Sequence, residues 1–425
     1  MRRMPNDTII TNVGSQELVL VFGDPGLPID GRGGNDKMIA TVDGGPSTLL
    51  LVGDDEDLQG RSHGGNDVMI ATVDGGPTTL LLVGDDESLQ GRSHGGNDHF
   101  VADVAAFGAY VTVDGDARTM SGDAHGGNDV MNVDATGSIY TTTSLFGDAE
   151  MAMTEASRGG NDFITGTMGD RAYGTFVGDA GTTMSDDTRG GNDIINVTQA
   201  GSYGAASISG DALLSLSGDA RGGNDILIYT VPTEARSGSA ALWGDSNYMT
   251  GNAHGGDDIL IATVAGNPDS TSITMHGDAS TMSGSTHGGN DMLIGSARGD
   301  WLYGDANTYA PSSAGSITGG RDLLNGGGGN DQLWGGPNND LFVFKAGSGQ
   351  DVINDFDQGN KAAGSAAPEH DVIDLRAYGF ADWAALKSLI SDDDAGNAVI
   401  QLAANDTITL DGVHAADLGA RDFFV

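Results

Sequence analysis

The sequence predicts an all-β protein, a right-handed parallel β-solenoid or β-roll with coils of about 31–33 residues, followed by a small β-rich C-terminal cap. Three observations carry that expectation. The motif Gly-Gly-Asn-Asp, with small variations, returns every 31 to 33 residues, ending at Asp36, Asp67, Asp98, Asp129, Asp162, Asp193, Asp225, Asp258, Asp291 and, as Gly-Gly-Arg-Asp, at Asp322. Such a period marks coils that bury their apolar faces only against neighbouring coils. The stretches Met38 to Asp67 and Met69 to Asp98 differ only at Ser47/Thr78 and Asp57/Ser88, so the unit is a true repeat rather than a chance spacing. Finally, the chain holds 70 glycines, 60 acidic and 19 basic residues, a net charge of -41 and no cysteine, which places glycine and acid at stacked turns and leaves no disulfide to staple them.

Taken in order, residues 1–22 are expected to form an N-terminal capping segment, 23–343 the repeats and 344–425 the cap. Within one coil, Val68 to Val73 reads as a strand, Asp74 to Pro77 as a turn and Thr79 to Val83 as a second strand. The Gly84-Asp85 turn follows, then a short Leu89-Gln90-Gly91 stretch leading into the next motif. Gly-Asp is thus a second fixed element, 12 to 14 residues before each motif aspartate, at Asp24, Asp54, Asp85, Asp116, Asp148, Asp179, Asp211, Asp245 and Asp278. Ten such coils, stacked about 4.8 Å apart, would reach roughly 45 to 50 Å. In the cap, a short amphipathic stretch at Ala381 to Ile390 and a strand pair, Val399 to Leu402 and Thr407 to Leu410, are expected.

The turns carry the chemistry. Consecutive glycines are expected to take positive φ and curve their carbonyls inward, while each aspartate adds a carboxylate. Together these supply the shell of six to eight oxygens that a hard cation such as Ca²⁺ requires. Besides the aspartates of the two rows, the candidate ligands are Asp300, Asp305, Asp331 and Asp340, with Gly64, Gly65, Gly95, Gly96, Asn128, Gly326, Gly328 and Asn330. An acidic, glycine-rich chain repels itself without counter-ions, so folding is expected to be coupled to cation binding.

Between Gly319 and Val343 the period tightens to nine. Gly326-Gly-Gly-Gly-Asn-Asp331-Gln-Leu333-Trp334 fits G-G-x-G-x-D-x-U-x at every specified position, and Gly335-Gly-Pro-Asn338-Asn-Asp340-Leu-Phe342-Val343 follows with Asn338 in place of a glycine. Here the chain resembles the RTX family of secreted calcium-binding β-roll proteins, and the resemblance covers nearly its whole length. It implies multiple bound Ca²⁺ ions, export by a type I secretion machinery that reads the C-terminal region, and folding in a calcium-rich extracellular medium. The long repeats are wider than a coil of two nonapeptides, which leaves open whether every Gly-Asp turn holds metal.

Other function classes are excluded or unsupported. A charge of -41 opposes binding to nucleic acid, which needs Lys and Arg against phosphates. No apolar run approaches the roughly 18 residues of a membrane span, and the N-terminal residues lack the apolar core of a signal peptide. No H-E-x-x-H pattern occurs. The G-x-S-x-G pattern occurs at Ser62 and Ser93, but inside duplicated turns rather than in the strand-turn-helix setting a nucleophile needs. With about 22 residues ahead of the repeats, no catalytic domain is expected. The residue before each motif is Arg32, His63, His94, His125, Arg158, Arg189, Arg221, His254 or His287, which predicts a basic column beside the acidic turns. Charge compensation is one reading of it; a pH sensor built on the histidines is the other. The expected role is a non-catalytic, surface-associated module that self-assembles or engages cell-surface polysaccharide. A soluble secreted effector or calcium-sequestering protein is the alternative, and a secreted hydrolase a distant third.

Overall fold

The computed structural model describes residues 4–24, 30–54, 58–265, 270–311, 316–358 and 369–425. The chain winds into a β-solenoid in which each strand pairs with its counterpart one coil away, building three sheets. The first, of 14 strands from Thr8–Val13 to Phe423–Phe424, takes the strand after each Gly-Gly-Asn-Asp motif. The second, of 15 strands beginning at Leu18–Phe22, takes the strand before each Gly-Asp turn. The third, of eight strands from Asp86–Gly91 to Ala306–Pro311, fills the interval between the two acidic turns. Sequence reasoning gave that interval only a short stretch. It is a sheet because it presents its own inward columns, Leu89, Met120, Met153 and Met184 beside Ala117, Ala149 and Ala180, all buried.

Register follows the repeat. Val68 pairs with His99 and Thr79 with Tyr110, both in parallel, so equivalent positions of successive coils stack into columns. Alternation along each strand then sends every second side chain inward. Met69, Ala71 and Val73 of the first sheet meet Leu80 and Leu82 of the second in one long core, and a fully buried residue of this kind contributes about 1.5–3 kcal/mol. Volume is conserved across the core: where Phe176 replaces the Leu145 of the preceding coil, Gly166 and Gly174 give way, since a methyl on either would overlap the Phe176 ring.

The third-sheet residues form a second, separate core. The two acidic turns of each coil lie where the chain enters and leaves the third sheet, so the aspartate rows stand between the two cores. After Pro311 the third sheet ends, and the spacing between hydrogen-bonded turn aspartates falls to 18 and 20 residues as the solenoid becomes a two-sheeted roll. The two main sheets continue through Gln350–Ile353 and Val372–Asp374. An antiparallel unit, Ile390–Asp392, Ala398–Gln401 and Thr407–Leu410, then covers the edge of the second sheet. The helix Trp383–Lys387, with Asp382 accepting from the Ala385 amide at 3.0 Å, buries Leu386 against this end.

Glycine acts here chiefly through close approach. In the long repeats the motif glycines do not have positive φ, contrary to the sequence expectation; that conformation belongs to the corner glycines Gly60, Gly91, Gly122, Gly218, Gly251 and Gly284, and to Gly327, Gly329 and Gly336 of the nonapeptides. A methyl on Gly127 would overlap the carbonyl oxygen of Gly96 one coil away. Gly108, at φ 68° with open space around it, faces only the cost of a left-handed residue, about 1 kcal/mol. Gly127→Ala should therefore lower the melting temperature in calcium far more than Gly108→Ala; equal shifts would contradict the close stacking of the coils.

Candidate metal centre

The motif aspartates form one continuous ladder. The backbone amide of each donates to Oδ1 of its counterpart in the next coil: Asp36 to Asp67 at 2.6 Å, Asp67 to Asp98 at 2.6 Å, Asp98 to Asp129 at 2.6 Å and Asp129 to Asp162 at 2.7 Å. Asp162, Asp193, Asp225 and Asp258 continue it through Asp291 and Asp322 to Asp340. The ladder runs past the sequence-predicted ligands at both ends, starting with the amide of Asp7 and closing on Asp371. One carboxylate oxygen per residue is thereby used. The other, Oδ2, is buried without a hydrogen-bond partner at every rung from Asp36 to Asp340.

The Gly-Asp row faces this ladder. Asp54, Asp85 and Asp116 accept from the amides of Gly65, Gly96 and Gly127 at 2.6, 2.6 and 2.8 Å. Asp148, Asp179, Asp211, Asp245, Asp278 and Asp305 do the same for the second glycine of each following motif. Again one oxygen is left over, and it is buried and unpartnered in Asp54, Asp85, Asp116, Asp211, Asp245, Asp278 and Asp305. A methyl on Gly64 would overlap Asp85, and one on Gly95 would overlap Asp116, so the first glycine of the motif leaves room for the next coil's carboxylate.

The two rows converge. Carboxylate oxygens of Asp54, Asp67 and Asp85 lie within 4.8 Å of one another. The space at the Gly53 α-carbon is bordered by Asp67 Oδ2 and the Gly84 carbonyl oxygen, and the same arrangement recurs at Gly84, Gly115, Gly147 and Gly178. These glycine carbonyls, which sequence reasoning missed, add neutral oxygen donors; their signal was the Gly that precedes every aspartate of this row.

Several predicted ligands fall elsewhere. Asp300 and Asp331 belong to a third ladder, with Asp351, at the turn between the first and second sheets: the Asp300 amide donates to Asp331 at 2.9 Å and the Asp331 amide to Asp351 at 3.0 Å. A nonapeptide pair makes two turns per coil, one on each side of the roll, so these aspartates lie on the side away from the main row. Asp300 Oδ1, Asp331 Oδ2 and Asp351 Oδ2 are buried and unpartnered too. Gly326 leaves room for Asp331, and the Gly328 amide donates to Ser296. Asn128 and Asn330 are exposed: Asn128 joins an outer asparagine ladder, accepting from the Asn161 amide at 2.8 Å, and Asn330 accepts from Gln350. Their alternate position beside Asp turns the side chain away from the carboxylates. Asp355, which accepts from Gly335 and Gly336, and Asp371 were not singled out because their segments lack the Gly-Gly pair.

Burial dominates the electrostatics. It pushes Asp54 to about 10 and Asp67 to about 9, with the neighbouring Asp85 and Asp54 charges adding to the effect, and it alone pushes Asp162 to about 8. Asp85, Asp98, Asp129 and Asp193 are likewise held far above the carboxylate range by burial and by the next rungs. Beside the ladder runs the basic column, bridged in parallel from Arg32 through His63, His94 and His125 to His287, with His63 and His94 stacked at 4.9 Å and His254 and His287 at 4.5 Å. Burial, then adjacent cations, lowers the pKa of His63, His94 and His254.

No protein-family model matches the chain, and no curated protein matches it. The donor set itself is the guide: buried carboxylate and carbonyl oxygens, in a chain without cysteine, fit a hard cation.

The sign of the pH dependence follows. A carboxyl whose pKa is higher folded than unfolded binds more protons when folded, so in chelator it stabilises the fold at acid pH. That contribution is lost as pH rises from the ordinary carboxyl value of 3.8 through about 8 to 10 for Asp162, Asp67 and Asp54. Far-UV circular dichroism in chelator should show β-structure gained on acidification from pH 8 to about pH 5, and calcium should abolish that dependence. A cation-free fold that is insensitive to pH, or weaker in acid, would contradict it.

Proposed function

We propose that this protein is a non-catalytic, calcium-bound structural rod that works outside the cell as a surface-associated module. The observation that carries the reading is the double row of aspartates, in which every motif rung from Asp36 to Asp340 and most members of the Gly-Asp row keep an oxygen that is buried and unpartnered between two apolar cores. An ionised carboxylate buried without a partner is unstable, and a cation shared between facing rungs removes the penalty at both. Calcium suits the sites better than magnesium, because it accepts six to eight oxygens in flexible geometry whereas magnesium keeps several waters in a strict octahedron. Asp54, Asp67 and Asp85, with the Gly84 carbonyl, would hold one such ion, and the repeat carries the same set from coil to coil.

Coupled folding and export are part of the proposal. Without cations the rows repel, so the chain would stay open in a low-calcium cytosol and close in a calcium-rich medium. That behaviour suits a type I secretion route, in keeping with the resemblance of the nonapeptides and the C-terminal region to RTX proteins. The absence of a catalytic role is supported by Ser62 and Ser93: both are buried in their turns, and Ser62 Oγ donates to the Gln59 carbonyl at 2.8 Å. Among the described residues no helix is long and apolar enough to cross a membrane.

A calcium titration of the chelated protein, followed by far-UV circular dichroism with light scattering, tests this reading, with magnesium as the control. A cooperative coil-to-β transition specific to calcium is expected. Full β-structure in chelator at neutral pH would overturn the proposal, and a transition produced equally by magnesium would remove calcium from it.

A further inference from the structure

The corner between the first and second sheets presents a concentration of exposed aromatic rings. Phe107, Tyr110, Tyr140, Tyr173 and Tyr203 are 60%, 61%, 49%, 63% and 50% exposed, in a chain that is only 6% aromatic. Their spacing is regular. Tyr110 pairs in register with Thr142, and Thr142 with Tyr173, so these tyrosines stand two coils apart, about 9.5 Å. Tyr140 stands on the coil between them and Tyr203 on the coil after Tyr173, both one column over, with Arg171 between Tyr140 and Tyr203 at 5.5 and 5.7 Å from their ring centroids. The strip Tyr110, Tyr140, Tyr173, Tyr203 thus offers one ring per coil, advancing about 4.8 Å each time.

The backbone shows that the rings are placed against local preference. Tyr140, Arg171 and Tyr203 have φ of 58°, 51° and 63°, in the left-handed region where the equivalent residue of the preceding coil is Gly108. Glycine would serve the turn at no steric cost, so bulky aromatic and cationic residues there are a departure that points to function rather than folding. The neighbouring outward column of the second sheet, Thr112, Ser144, Thr175 and Ser207, is half-buried, hydroxyl-bearing and uncharged. Toward the N-terminus the strip opens into a groove of about 410 Å³ at Tyr110, lined by Gln16, Pro46, Thr48, Pro77 and Thr79.

We propose that this strip binds an uncharged, extended polysaccharide chain lying along the solenoid axis. Flat tyrosine faces stack on the apolar faces of sugar rings, hydroxyls and the Arg171 fork meet sugar hydroxyls, and a ring per coil matches a linear polymer of six-membered rings. Charge selects among polymers: a protein of net charge -41 repels nucleic acids and anionic glycans. A peptide would dock by pairing with a sheet edge, whereas this face lies within a sheet whose strands are already paired on both sides. The inference takes from the proposed function only the setting of a surface-associated rod.

The test is affinity electrophoresis of the full chain in calcium, in native gels cast with hydroxyethylcellulose, mixed-linkage β-glucan, glucomannan or alginate. Circular dichroism of the same samples separates a failure to fold from a failure to bind. The wild type should be retarded by at least one neutral glycan and not by alginate. The pair Tyr110→Ala/Tyr173→Ala and the pair Tyr140→Gly/Tyr203→Gly should each weaken binding about tenfold or more. Because the glycines suit the left-handed turn, the second pair should melt at or above the wild-type temperature. Absence of retardation by every neutral glycan in a folded sample, equal retardation by alginate, or unchanged binding by both variants would overturn the proposal.

Discussion

The structure depends on one constraint: two rows of carboxylates face each other inside the protein, between two apolar cores, and cannot all be ionised there without cations. Each aspartate satisfies one oxygen by accepting a backbone amide, from the preceding rung in the motif row and from a motif glycine in the Gly-Asp row. In the motif row, and in most of the Gly-Asp row, the second oxygen remains buried and free of hydrogen bonds. The glycines exist to permit this crowding, because a side chain at Gly64 or Gly84 would occupy the space that carboxylate and carbonyl oxygens need.

From that constraint follow the shape and the energetics. Each coil contacts its neighbours through backbone ladders, side-chain columns and the acidic rows, so stability is built from nearest-neighbour terms as in other solenoids. The apolar columns supply cohesion along both cores, whereas the acidic rows oppose it once their buried carboxylates ionise. Where the third sheet ends, the rows change character: main-row rungs persist through Asp340 and Asp371, and a separate ladder of Asp300, Asp331 and Asp351 opens on the far side of the roll. The same chain therefore carries two coil designs, joined without a break in the first and second sheets.

Much of this was legible in the sequence because a repeat of fixed length dictates register. Once Asp67 and Asp98 occupy the same place in successive coils, their ladder and the inward columns of Met69 and Phe100 follow. Less legible was anything that depends on how a coil closes on itself. The third sheet was hidden because Leu89-Gln90-Gly91 is too short to show alternation, and its strand character comes from pairing with the coils on either side. The motif glycines looked like left-handed turn residues, but their reason is a neighbour one coil away, which no local pattern encodes. Asn128 shares a motif with Asp129 yet points outward, since adjacent residues of an extended turn face opposite ways. Asp351 and Asp371 lack the double glycine and declare themselves only through their rungs.

The most direct measurement is the anomalous scattering of crystals grown in calcium. If the facing rows are held by cations, difference peaks should form a line between the motif aspartates and the Gly-Asp aspartates, repeating once per coil, about every 4.8 Å. Further peaks should lie beside Asp331 and Asp351. A well-ordered structure with no peak between the rows would mean that protons, not metal, neutralise the buried carboxylates, and the account of a calcium-held rod would be wrong.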